Sequence, residues 1–114
     1  MRYTIVSMNR NYNRLPQVAF NILMALSLRE RHGYEIIKQV EDDTRGRIKL
    51  GPGALYTSIR HLNEQGLIEE IEKPTDTNRR YYRLTDSGKN TLNDELSYYE
   101  TMLGLAKKRH IIQD

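Results

Sequence analysis

The chain has no cysteine and no tryptophan, and only one phenylalanine and three prolines in 114 residues. Without cysteine there is no disulfide framework and no thiolate metal site. The histidines, His32, His61 and His110, are scattered and match no ligand spacing. There is no HExxH pair and no nucleophile elbow. The run GPGALY lacks the Lys-Ser/Thr that would complete a phosphate-binding loop. No enzyme, metal site or cofactor is therefore expected. No apolar run approaches the length of a bilayer span and no signal-peptide pattern is present, so the expectation is no membrane role and a cytoplasmic location. No long block of one charge sign reads as a disordered tail.

What the chain does have is a mild positive surplus, +3 in formal charge with a pI of about 9.2. Such a surplus suits a polyanionic partner without proving one. The length is that of one domain with a modest core.

Periodicity orders the rest. Residues 1–14 carry Arg2, Arg10 and Arg14 and no acid, and read as an N-terminal basic arm or a frayed lead-in. Pro16 then opens a helix with Val18, Ala19, Ile22, Leu23, Ala25 and Leu26 as its apolar stripe. It ends in a turn near Arg29 to Gly33. A second helix spans about 34–44, with Ile36, Ile37 and Val40 inward. A third begins at Pro52, buries Leu55, Ile59 and Leu62, and stops at Gly66. Strands over 67–73 and 79–84 flank a turn at 74–78. Thr85 is an N-cap for a last helix from Asp86 to about Arg109. The order predicts a mainly α fold with a small β hairpin, a winged helix-turn-helix over 15–85. A C-terminal dimerisation helix and tail over 86–114 follow.

With Leu55, Ile59 and Leu62 against the core, the third helix turns Gly53, Tyr56, Thr57, Arg60, His61 and Glu64 outward, and Ala54 is expected at the DNA face with the first five. Gly53 permits close backbone approach, and a helix N-terminus favours phosphate. Thr57 can meet phosphate or a thymine methyl, Tyr56 can place its hydroxyl on phosphate, and Arg60 can reach a guanine edge. No acid lies between Asp43 and Glu64, whereas Arg45, Arg47, Lys49 and Arg60 do. Lys49 thus joins the expected DNA face, with Arg79 and Arg80 at the hairpin tip. Plainer roles are Arg60 paired with Glu64, Arg80 opposite Glu72 and Arg83 opposite Glu69. The structural role is preferred for Arg83 and the DNA role for Arg79 and Arg80.

Leu92, Leu96, Tyr99, Leu103 and Ala106 recur at intervals of four and three, a heptad seam on a helix too long for so small a domain. A homodimer is expected to bury it. Two reading helices would then meet a pseudo-palindromic operator in double-stranded DNA, with half-sites roughly 34 Å apart. Tyr98, Tyr99 and Met102 beside the seam form a candidate pocket for a small hydrophobic or aromatic effector.

Three stretches together resemble the PadR family of bacterial transcriptional regulators: HGYEIIKQVEDDTRG (32–46), LGPGALYTSIRHLNEQGLI (50–68) and RRYYRLTDSGKNTL (79–92). The resemblance implies a dimeric winged-helix repressor that binds DNA through its third helix and wing and pairs through its C-terminal helix. It implies DNA-face roles for Tyr56 and the small residues before it, a basic wing at Arg79 and Arg80, and a dimer helix over Leu92 to Leu103. Thr57 stands where many members have Pro or Gly. Small drug-responsive members place a tryptophan at the dimer centre, where this chain has none. Two rival expectations are a winged-helix adaptor that binds protein and an architectural DNA binder of low sequence preference.

Overall fold

The computed structural model describes residues 15–113, so the expected arm over 1–14 lies outside the described residues. The elements run α1 (Gln17–Leu26), β1 (Arg31–His32), α2 (Gly33–Asp43), α3 (Pro52–Glu64), β2 (Ile68–Ile71), β3 (Tyr81–Leu84) and α4 (Asp86–Lys108). Helices dominate, and a small antiparallel sheet supplies the wing of a winged helix-turn-helix. No described helix is long and apolar enough to cross a membrane.

Each helix turns one apolar stripe to a shared centre. Ile22 and Leu23 of α1, Ile36 and Val40 of α2, and Leu55 and Leu62 of α3 are almost wholly removed from water. Tyr82 closes the core from the sheet and Leu92 from α4. Burying one such aliphatic side chain contributes about 1.5–3 kcal/mol, so this centre fixes how the helices sit.

Local chemistry sets the helix ends. α2 begins in a capping box. The His32 amide donates to Glu35 Oε1 at 3.2 Å, and the Glu35 amide faces His32 Nδ1 at 3.4 Å. α3 ends where Gly66 takes a φ of 75° and the Leu67 amide donates back to the Leu62 carbonyl at 3.0 Å. Thr85 caps α4, accepting from the Gly88 amide at 3.0 Å while its hydroxyl donates to the Gly66 carbonyl at 2.6 Å.

The sheet departs from expectation in two ways. Its paired strands are shorter than 67–73 and 79–84, and β1 joins them, giving the order β1-β3-β2 with β3 central. Two residues carry no periodicity, so β1 is invisible to pattern reading. It is fixed instead by Arg31, whose buried Nε donates to the Ala25 carbonyl at 2.9 Å. The second departure is at Arg80. Glu69 faces Arg83 and pairs with it at 2.7 Å, as expected, but Arg80 reaches Glu70 at 4.0 Å rather than Glu72. Glu70 lies diagonally across the same face, within range of a long side chain.

α4 corrects the expected seam. Leu92 is 6% exposed inside its own chain's core and is not a surface residue. Gly88 presses so closely on the Leu67 carbonyl that a side chain there would collide. Tyr99 is half-buried against Phe20, ring centroids 5.2 Å apart. Beyond this root, Leu96, Tyr98, Met102 and Leu103 are exposed, and Ala106 is half-buried.

Candidate nucleic-acid interface

The core grips α3 by Leu55, Ile59 and Leu62 and leaves the opposite side bare. Gly53, Ala54, Tyr56, Thr57, Arg60 and His61 are all exposed. The helix starts at Gly51 with no side-chain cap, so its first amides present a partial positive charge outward. No atom lies near a side chain built at Gly53, and a partner could approach the backbone there.

The connection from α2 to α3 is locked by Thr44. Its hydroxyl donates to the Val40 carbonyl at 2.8 Å and accepts from the Ile48 amide at 3.0 Å. Ile48 packs on the core and Leu50 is buried, and this alternation turns Arg47 and Lys49 to the surface. Arg45 sits at a φ of 54°, at the C-terminal turn of α2.

The wing is tied back to the body. Lys73 pairs with Glu30 at 3.1 Å and lies over the Tyr81 ring at 5.3 Å. The backbone amide of Glu30 and the Lys73 ammonium hold the Glu30 carboxyl below its usual range. The Tyr81 hydroxyl donates to Asp76 at 2.9 Å, and partial burial followed by that carboxylate pushes the phenol up. Arg79 Nη1 stands 3.1 Å from His32 Nε2 and 3.6 Å from Asp76 Oδ2. The side chains of Arg79 and Arg80 stay 59% and 74% exposed.

Between the start of α2, α3 and the wing lies an open cleft walled by Gly33, Tyr34, Tyr56, Arg79 and Arg80. The Tyr56 ring rests on Gly33, where any side chain would strike its hydroxyl. The expected residues Tyr56, Arg79 and Arg80 therefore share one cleft. His61 instead shares a depression with Leu15, Pro16 and Gln65 near the start of α1. Tyr34, Gly33 and His32 escaped sequence reasoning. The only local signal for them was the spacing of His32 and Glu35, which matches a capping box. The contact of His32 with Arg79, 47 positions away, leaves no local trace.

Of the expected effector residues, Tyr98 and Tyr99 meet edge-on with ring centroids 5.9 Å apart. Tyr99 lines a cavity of about 570 Å³ with Phe20, Arg45 and Arg47, walled by α1 and the α2–α3 connection and not by Tyr98 or Met102.

Comparison with known proteins matches this geometry. The model of the transcriptional regulator PadR-like family matches residues 22–94. The transcriptional regulator YqjI of Escherichia coli is 33% identical over 88 residues, covering 77% of this chain and 42% of that protein. The chain thus spans less than half the length of this relative. A transcriptional regulator from Clostridium thermocellum superposes with a TM-score of 0.68 at 25% identity, covering 80% of this chain and 87% of that one. A PadR family transcription regulator from Clostridium difficile shares the fold with a TM-score of 0.71 at 24% identity, covering 82% and 97%. Fold, buried pattern and family match agree, and the chain belongs to the PadR-like family, whose members are transcriptional regulators rather than enzymes.

Proposed function

We propose that this chain binds double-stranded DNA as a homodimer and represses transcription in the cytoplasm. The observation that carries the proposal is the bare face of α3, bordered by exposed Arg47 and Lys49 and sharing a cleft with Arg79 and Arg80 through Tyr56. An acid-free stretch from Thr44 to Asn63 keeps that side positive. Lys49, Gly53, Ala54, Tyr56 and Thr57 would set backbone and groove contacts, and Arg60 would read a base edge. Residues 15–85 form the DNA-binding part in this proposal, and 86–114 supply the pairing helix.

The exposed apolar side chains of the outer α4 support pairing with a second copy. Leu96 and Leu103 lie two turns apart, 39% and 54% exposed, on one side of the helix. Two copies would present two α3 helices to a pseudo-palindrome, and blocking a promoter is the simplest act for so small a protein. The Tyr99 cavity is the place where a small aromatic effector would bear on both α1 and α4.

Selection of bound sites from random duplex tests the proposal. The expected result is an inverted repeat, with affinity that falls steeply as salt rises. Sedimentation should show a dimer. A protein that stays monomeric, or that ignores every duplex in dilute buffer, would overturn it. Thermal shift in the presence of aromatic compounds tests the effector.

A further inference from the structure

His32 is 8% exposed and faces two donors with one lone pair to offer. A neutral imidazole carries its proton on one ring nitrogen and accepts only at the other. The Glu35 amide points at Nδ1 from 3.4 Å, and Arg79 Nη1 points at Nε2 from 3.1 Å. Both contacts cannot be hydrogen bonds to the same neutral ring. A proton on Nε2 caps α2 but sets an N–H against the Arg79 guanidinium. A proton on Nδ1 lets Nε2 hold Arg79 but uncaps the Glu35 amide.

The two states are unequal. The bond from Arg79 is shorter and comes from a charged donor, and charge-assisted bonds are roughly twice as strong as neutral ones. With Arg79 in place, the ring is therefore protonated on Nδ1. With Arg79 gone, Nδ1 is free to cap α2, and a proton on Nε2 no longer faces a cation, with the Glu35 carboxylate oxygen Oε1 3.7 Å away. The remaining charged and titratable neighbours do not break this choice. Asp76 draws on Arg79 rather than on the ring, and Tyr81 meets the ring edge-on at 5.3 Å with its hydroxyl already given to Asp76.

We infer that His32 is the positioning residue of the wing: its Nε2 lone pair parks Arg79 in the free protein and gives it up when Arg79 moves to DNA phosphate, the ring then capping α2. This rests on the DNA-binding proposal for its second half only. The change is a tautomeric shift. One proton leaves Nδ1 for water, one arrives at Nε2 from water, and no net charge is taken up. Wing engagement and the start of α2, which carries Gly33 beneath Tyr56, are thereby coupled through one ring.

Nitrogen-15 spectra of the imidazole, assigned with His32→Asn and recorded where the ring is neutral, test the inference. In the free protein Nε2 should resonate as the unprotonated nitrogen. In Arg79→Ala, and in the wild-type protein saturated with its selected duplex, Nε2 should carry the proton. An Nε2 already protonated in the free protein and unmoved by Arg79→Ala would overturn the inference. That comparison needs no DNA, so it decides the inference even if duplex binding fails. Binding supplies the second arm. Asn caps helices well, so His32→Asn should stay folded while freeing Arg79. Arg79→Ala should then weaken duplex binding by a factor about two- to tenfold larger in the His32→Asn background than in wild type, the worth of one hydrogen bond. Equal losses in both backgrounds would count against it.

Discussion

The outer face of α3 and the tip of the wing both offer arginines, and they hold them in opposite ways. Arg60 stands on a helix seated by three buried side chains, and its side chain makes no hydrogen bond or ion pair among the described residues. Glu64, one turn on, does not capture it. Arg79 and Arg80 sit beyond strands of four residues, and each already has an acid, Asp76 at 3.6 Å and Glu70 at 4.0 Å. Such long, exposed pairs contribute little to stability and are cheaply exchanged for phosphate. A free side chain on a rigid rod suits reading a sequence. A tethered side chain on a short arm suits gripping a backbone.

The largest expected effect removes the rod's seat. Leu55→Ala empties a wholly buried position and should cost about 2–5 kcal/mol in chemical unfolding. Duplex binding should fall with it. Next, Arg60→Ala should leave stability untouched and lose about 1–3 kcal/mol of discrimination at one base position, read from a mutated-site binding series. If every site weakened equally, the contrast between reading and gripping would collapse. Gly66→Ala tests the turn that joins the two regions. A side chain has open space there, but the φ of 75° should cost about 1–2 kcal/mol in melting experiments. Arg79→Ala should weaken all duplexes nearly alike and lower the slope of log affinity against log salt by about one.

The smallest effect is pH dependence at the α2 cap. Burial raises the Glu35 carboxyl, but the Arg29 hydrogen bond and the His32 amide outweigh it and leave it below its ordinary 4.5. The stability it contributes is thus present above 4.5 and fades as pH falls through the lower folded value. Glu35→Gln should flatten the acid limb of a melting-temperature profile in that range. An unchanged limb would mean that other carboxylates carry it.

Much of this was legible beforehand because helices announce themselves. Leu55, Ile59 and Leu62 recur with the helical period, Pro52 and Gly66 bracket them, and the outer face follows by geometry. The register of Arg83 against Glu69 followed from placing the turn. Three things did not follow. β1 is too short to have a period and is held by a side chain reaching a carbonyl. Leu92 carries the same heptad signature as Leu96 and Leu103, and only the path of α4 over the core tells an inner leucine from outer ones. The meeting of His32 with Arg79 depends on how far the wing folds back, which local pattern does not encode.

α4 is a rod about 34 Å long at 1.5 Å per residue, seated on the body from Gly88 and Leu92 as far as Tyr99. The tightest point of that seat is Gly88, lodged against the Leu67 carbonyl where nothing larger fits. A rocking of about 10° at that point would sweep the far end through some ~5 Å, by the same rise. A shift at the root, beside Phe20 or the cavity at Tyr99, would likewise be magnified along the rod. In the pairing proposed above, the span between the two heads would then depend on the close seat of one glycine.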